Sequence, residues 1–65
     1  GAIISNDTLY IKTKFPGINI RYSTNGKTPT PESKEYISPV KINSNDKIKV
    51  RTFDLNGRGG KIIEL

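Results

Sequence analysis

The stretch Ile18-Asn19-Ile20-Arg21-Tyr22-Ser23-Thr24-Asn25-Gly26-Lys27-Thr28-Pro29-Thr30 decides the fold. Its first half alternates. Ile18, Ile20 and Tyr22 fall on one side of an extended chain, and Asn19, Arg21 and Ser23 fall on the other. Period two with β-branched and aromatic residues on one side describes a strand with one buried face. Asn25-Gly26 follows directly and is predicted to make a tight hairpin turn, since both residues accept positive φ at low cost. Pro29 and Pro31 then remove two backbone donors, so residues 27–31 can be neither an inner strand nor a helix.

Outward from this stretch the same period recurs. Upstream, an Asn6-Asp7 turn signal precedes Thr8 to Thr13, with Leu9 and Ile11 on one side and Tyr10 and Lys12 on the other. Phe15 is expected to cover the end of the core before a Pro16-Gly17 turn, where proline presets φ and glycine takes the positive φ that follows. Downstream, Lys34 to Ile37 adds a short extended piece, and Tyr36 is expected over the sandwich edge with its hydroxyl on a backbone partner. Pro39 allows only an edge position. Val40-Lys41-Ile42 alternates, Asn43-Ser44-Asn45-Asp46 is a polar turn, and Lys47 to Asp54 alternates again. There Ile48, Val50 and Thr52 share one face, and Lys47, Lys49, Arg51 and Phe53 share the other. Asn56-Gly57 and Gly59-Gly60 bracket Arg58 in a turn before a last strand, Lys61 to Leu65. Turn signals return about every ten residues and no helical period appears, which predicts an all-β fold, a small immunoglobulin-like antiparallel β-sandwich. Its predicted core is Ile11, Ile20, Tyr22, Val40, Ile42, Ile48 and Val50.

Sixty-five residues make a single domain, residues 1–65. Gly1 and Ala2 read as a cloning remnant, and the whole as a piece of a longer protein. Isoleucine dominates the apolar set, and Cys, Met, Trp and His are all absent. This excludes a disulfide-stapled mini-protein, thiolate or imidazole metal sites, and any histidine base for a hydroxyl nucleophile. No apolar run reaches the length of about 18 residues that a membrane span needs. The carboxylates Asp7, Glu32, Glu35, Asp46, Asp54 and Glu64 sit at turns and strand ends, where Asp caps turns and an acid pair for glycoside hydrolysis is not held. Asp46 with Asn43 and Asn45 lacks calcium-loop spacing, and the glycines around Arg58 open no helix to cradle phosphate. No cofactor or metal is called for.

The net charge of +5 raises the question of a polyanion. Lys12, Arg21, Lys49 and Arg51 hold outward positions on three strands, and Tyr10 and Phe53 share that phase. If those strands are neighbours, a cationic face with interleaved aromatics results, as in small barrels that bind single-stranded nucleic acid. The plainer alternative is that lysines guard sheet edges and solvate the surface. Tyr10, Arg21, Arg51 and Phe53 are the residues expected to form any contact surface, with Phe53 covered by a neighbouring domain rather than bare.

The string Ile20 to Thr30 resembles the "hydrophobic-x-Tyr-Thr-x-(Asp/Asn)-Gly-x-x-Pro-Thr" signature of the chitobiase/β-hexosaminidase C-terminal domain family. Phe15-Pro16-Gly17, Tyr36 with Pro39-Val40, and Ile48 to Phe53 match further family features, with Thr52 where alanine is usual. Asn25 stands for a frequent Asp, and Lys27-Thr28 for small or acidic residues, making the loop more cationic. The resemblance covers residues 8–63 and implies a non-catalytic accessory module of a secreted bacterial glycoside hydrolase of β-N-acetylhexosaminidase type. It implies a structural role, the catalytic domain of the same chain as partner, and an extracytoplasmic location (periplasmic, cell-surface or secreted). The alternatives are a carbohydrate-binding module, which needs a platform of exposed aromatics to hold glycan, and, less favoured, a basic nucleic-acid-binding barrel.

Overall fold

The computed structural model describes residues 2–12 and 16–65; the roles expected for Thr13 and Phe15 lie outside these residues. Seven strands follow in order: β1 (Ala2–Ser5), β2 (Thr8–Ile11), β3 (Asn19–Ser23), β4 (Lys34–Glu35), β5 (Val40–Lys41), β6 (Lys49–Phe53) and β7 (Gly59–Glu64). They form an antiparallel three-stranded sheet of order β1-β2-β5 and an antiparallel four-stranded sheet of order β4-β3-β6-β7. No helix occurs among the described residues. This is the all-β, two-sheet body that the alternation predicts.

The inner faces are set by period two. Ile20 and Tyr22 on β3 stand opposite Thr52 and Val50 on β6. Leu9 on β2 faces them from the other sheet at 0% exposure, beside its register partner Val40. Ile42 and Ile48, at the two ends of the crossing between β5 and β6, complete the cluster, with Ile11, Tyr36 and Val40 packed against it. Every residue predicted as core therefore lies in this cluster or against it, and Leu9 is the deepest.

The turns explain the connections. Asn6 and Asp7 both have positive φ, at 52° and 57°, which closes β1 onto β2 as a two-residue hairpin of primed type. Gly17 at φ 79° meets the expectation for Pro16-Gly17. Asn25-Gly26 does not make the predicted hairpin turn. Of the two only Gly26 takes positive φ, and the pair runs beside Lys47 in a parallel bridge, through Gly26 N–H to the Lys47 carbonyl and Lys47 N–H to the Thr24 carbonyl, each 3.0 Å. The chain turns back only after the proline loop, where Glu35 pairs with Arg21 and Lys34 with Tyr22. Pro29 is fully buried beneath that loop, so one of the two prolines serves as an apolar plug as well as a stiffener.

Tyr36 behaves as expected. Its N–H donates to the Ile20 carbonyl of the four-stranded sheet, while its hydroxyl accepts the Ile11 N–H of the three-stranded sheet at 3.1 Å. One residue thereby ties both layers. Truncating Ile20 to alanine should destabilise the domain by about 2–5 kcal/mol, read from the urea midpoint. Tyr36→Phe keeps the ring and deletes the acceptor; it should cost about 0.5–1.5 kcal/mol with an unchanged denaturant slope.

Candidate functional site

The outward face of the four-stranded sheet carries most of the residues singled out for contact. Register places Arg21 of β3 directly across from Arg51 of β6, with Glu35 on the flank of Arg21 and Ile62 on the flank of Arg51. Like charges opposite one another repel. The two guanidinium groups relieve this by reaching toward opposite edges. Arg21 donates through Nη1 to the Ser33 carbonyl at 3.0 Å, and its Nη2 lies 3.8 Å from Glu35 Oε1. Its Nε is buried with no partner among the described residues. Arg51 donates through Nε to the Gly60 carbonyl at 2.9 Å, and its guanidinium lies over the Phe53 ring, 5.4 Å from the centroid, a cation–π distance.

Phe53 keeps the outward phase but is only 3% exposed. Asn19 and Gly59 flank it as register partners and Arg51 covers it, so no neighbouring domain is needed to cover it. The glycines read as a turn in the sequence have a different task. Between Arg51 and Phe53 the pairing slips by one, so Gly60 and Lys61 together oppose Thr52 in a β-bulge. A Cβ on Gly59 would fall on the Arg51 guanidinium, and one on Gly60 would sit 2.7 Å from Thr52 Oγ1. Gly59-Gly60 thus begins β7 and makes room for Arg51.

Tyr10 lies elsewhere. It is 42% exposed and pairs with Ile3, itself 62% exposed, on the outward face of the three-stranded sheet. The single cationic and aromatic face therefore does not assemble. β3 and β6 are neighbours, β2 belongs to the opposite layer, and Lys12 with Tyr10 is separated from Arg21, Lys49 and Arg51 by the thickness of the sandwich. Lys49 is in turn 3.4 Å from Glu64 on β7. The aspartates do turn work: Asp46 Oδ2 accepts the Asn43 N–H, and Asp54 Oδ1 accepts the N–H groups of Asn56 and Arg58. Asp7 serves its turn through its positive φ, and its carbonyl accepts the Ile42 N–H that follows β5.

A concave feature that the sequence did not advertise lies at the end of β3. Tyr22, Ser23, Asn25, Lys27, Ser33 and Lys34 are among the residues around a cleft of about 230 Å³. Lys27 was visible as a cationic departure in the loop. Lys34 joins it only because β4 pairs back onto Tyr22, a contact that local sequence does not reveal.

With this geometry in hand, the comparisons with known proteins are specific. The chitobiase/beta-hexosaminidase C-terminal domain family matches residues 1–64. The chain belongs to this family. It is also 37% identical, over all 65 residues, to part of a beta-hexosaminidase of Vibrio vulnificus. The chain spans about 7% of that relative's length, so it corresponds to an accessory domain and not to the catalytic one. No solved structure matches it significantly. The family's Tyr-x-x-Asn-Gly-x-x-Pro core is thus a folding signature here: Tyr22 fills the core, Gly26 takes positive φ, and Pro29 plugs the loop.

The Arg51 latch yields a quantitative test. Gly59→Ala should destabilise the domain by about 1–3 kcal/mol through overpacking against the guanidinium. Arg51→Ala should cost less in the Gly59→Ala background than in the parent chain, a less-than-additive loss in a double-mutant cycle read by chemical denaturation.

Proposed function

We propose that this chain is a non-catalytic accessory module of a glycoside hydrolase of β-N-acetylhexosaminidase type, that it packs against the catalytic domain of the same polypeptide, and that the enzyme works outside the cytoplasm. The carrying observation is the full-length match to a small share of a beta-hexosaminidase. The surface supports a packing role. Ile3 and Tyr10 form an exposed apolar pair on one outward sheet face, which suits burial against a neighbouring domain. A carbohydrate-binding module of the stacking kind is less well supported. Among the described residues Tyr10 is the one exposed aromatic, while Tyr22 and Phe53 are buried and Tyr36 is half-buried.

The test compares the module alone with the longer polypeptide. Ile3→Ser and Tyr10→Ser together should leave the isolated 65-residue chain within about 1 kcal/mol of its stability, as exposed substitutions do. In the full-length enzyme the same changes should lower the melting temperature by several degrees and leave hydrolysis of an N-acetylhexosaminide unchanged at low temperature. An unaltered melting temperature of the full-length enzyme would refute packing through this face.

A further inference from the structure

We propose that the cleft at the end of β3 is a binding subsite for an oxyanion carried on a saccharide, a uronate-type sugar unit, with Lys27 and Lys34 as its charged ligands. Nothing in the packing role accounts for this cleft, and the inference does not depend on that role.

Three observations carry it. First, the cleft's charge has one sign. Lys27 and Lys34 lie on its rim, and no carboxylate is among the residues around it. The ion pairs among the described residues are Arg21 with Glu35 and Lys49 with Glu64, so neither cleft lysine is neutralised by this fold. Arg21 and Arg51, by contrast, are engaged within the fold.

Second, the walls are held in place before any ligand arrives. The Lys27 N–H donates to Asn25 Oδ1 and Ser23 Oγ donates to the Lys27 carbonyl, closing a small ring of bonds under the Lys27 side chain. Gly26 is bonded to Lys47. Ser33 closes the far wall through its N–H to the Thr30 carbonyl and its Oγ as acceptor for the Thr30 N–H. With Asn25 Oδ1 occupied, its amide nitrogen retains two donors. A rigid loop presenting donors binds with less loss of conformational entropy than a flexible one.

Third, the size and lining select the ligand. At about 230 Å³ the cleft is smaller than the about 300–1,000 Å³ of sites for larger ligands, which suits one sugar unit rather than a long polymer segment. The lining exposes more apolar than polar surface, which suits the C–H faces of a sugar ring, while Asn25, Ser33, Lys27 and Lys34 supply polar groups for its hydroxyls and its negative charge. Neutral glycans bind chiefly by stacking on exposed aromatics, and the ring of Tyr22 is committed to the core. The same lack of a stacking platform disfavours single-stranded nucleic acid, which needs aromatic faces for its bases.

The experiment is a titration of the isotopically labelled chain followed by amide chemical shifts. A galacturonate trisaccharide should move the amides of residues 23–27 and 33–34, and the shifts should weaken as salt is raised. The Lys27→Ala/Lys34→Ala double variant should bind about tenfold more weakly or worse. Lys61→Ala, which removes a charge on exposed β7, should bind as the parent chain does. An N-acetylglucosamine oligomer should move these amides little, and inorganic phosphate should bind more weakly than the uronate. The proposal fails if these amides stay fixed, if the neutral oligomer moves them equally, or if Lys61→Ala weakens binding as much as the double variant. Phosphate binding as tight as the uronate would reassign the cleft to free oxyanions. Tighter binding of oligothymidylate would reassign it to nucleic acid.

Discussion

The forced encounter of Arg21 with Arg51 organises one whole side of this domain. Neither residue chose its neighbour. Burying Ile20, Tyr22 and Val50 on the inward side sets the register of β3 against β6, and a shift by one residue would turn that apolar row to solvent. The register then puts Arg21 and Arg51 opposite one another on the outward side. Because they reach away from each other, each one holds an edge. Arg21 holds the proline loop and β4 through Ser33 and Glu35. Arg51 holds the entry of β7 through Gly60. A repulsion imposed by the core is thus converted into two latches at the sheet's margins. The ion pair itself adds little, since Glu35 is 3.8 Å away and 40% exposed on its side chain; the hydrogen bond to the loop carbonyl is the firmer tie.

The latches matter because the chain has few other means of closure. It is short, lacks cysteine, and its edge strands β4 and β5 hold two residues each. Those strands cannot be kept in place by their own ladders. Arg21 ties down the first, and the Tyr36 side chain crosses the gap beside the second to meet Ile11. Both ties come from residues next to a loop that prolines have already stiffened, so less chain entropy has to be lost when they form.

How much of this could be read in advance divides along a physical line. Period two is local, and the strands β2, β3 and β6 with the buried residues Ile20, Tyr22, Ile48 and Val50 followed from it, whereas β1 was not read as a strand and β7 begins two residues earlier than expected. Turn chemistry was read less well where two sites shared the same residue types. Asn25-Gly26 has the better hairpin dipeptide, yet Asn6-Asp7 makes the primed turn. The difference is what lies beyond: β2 follows Asp7 at once, whereas Pro29 and Pro31 bar a strand directly after Gly26. Surface assembly was the least legible, because it depends on which strands become neighbours. Tyr10 and Phe53 share a phase but sit on opposite layers. The burial of Phe53 required knowing that a bulge brings Gly59 beside it and that Arg51 folds over it.

The same logic separates the two kinds of cation in the chain. A positively charged side chain beside a carbonyl or a ring that it can reach becomes part of the fold, and Arg21 and Arg51 have become so. Arginine suits that task, since its planar fork can bond and stack at once. Lys27 and Lys34 stand where the loop turns its own carbonyls inward, the Lys27 carbonyl to Ser23 and the Ser33 carbonyl to Arg21. Neither lysine has an ion-pair partner among the described residues, and no acid stands on the cleft wall. Two lysines lining one cleft that has no acid raise the local potential, and an anion entering the cleft lowers it. The outward arginines stabilise the domain; Lys27 and Lys34 are cations without an ion-pair partner among the described residues that share one cleft with no acid among its residues.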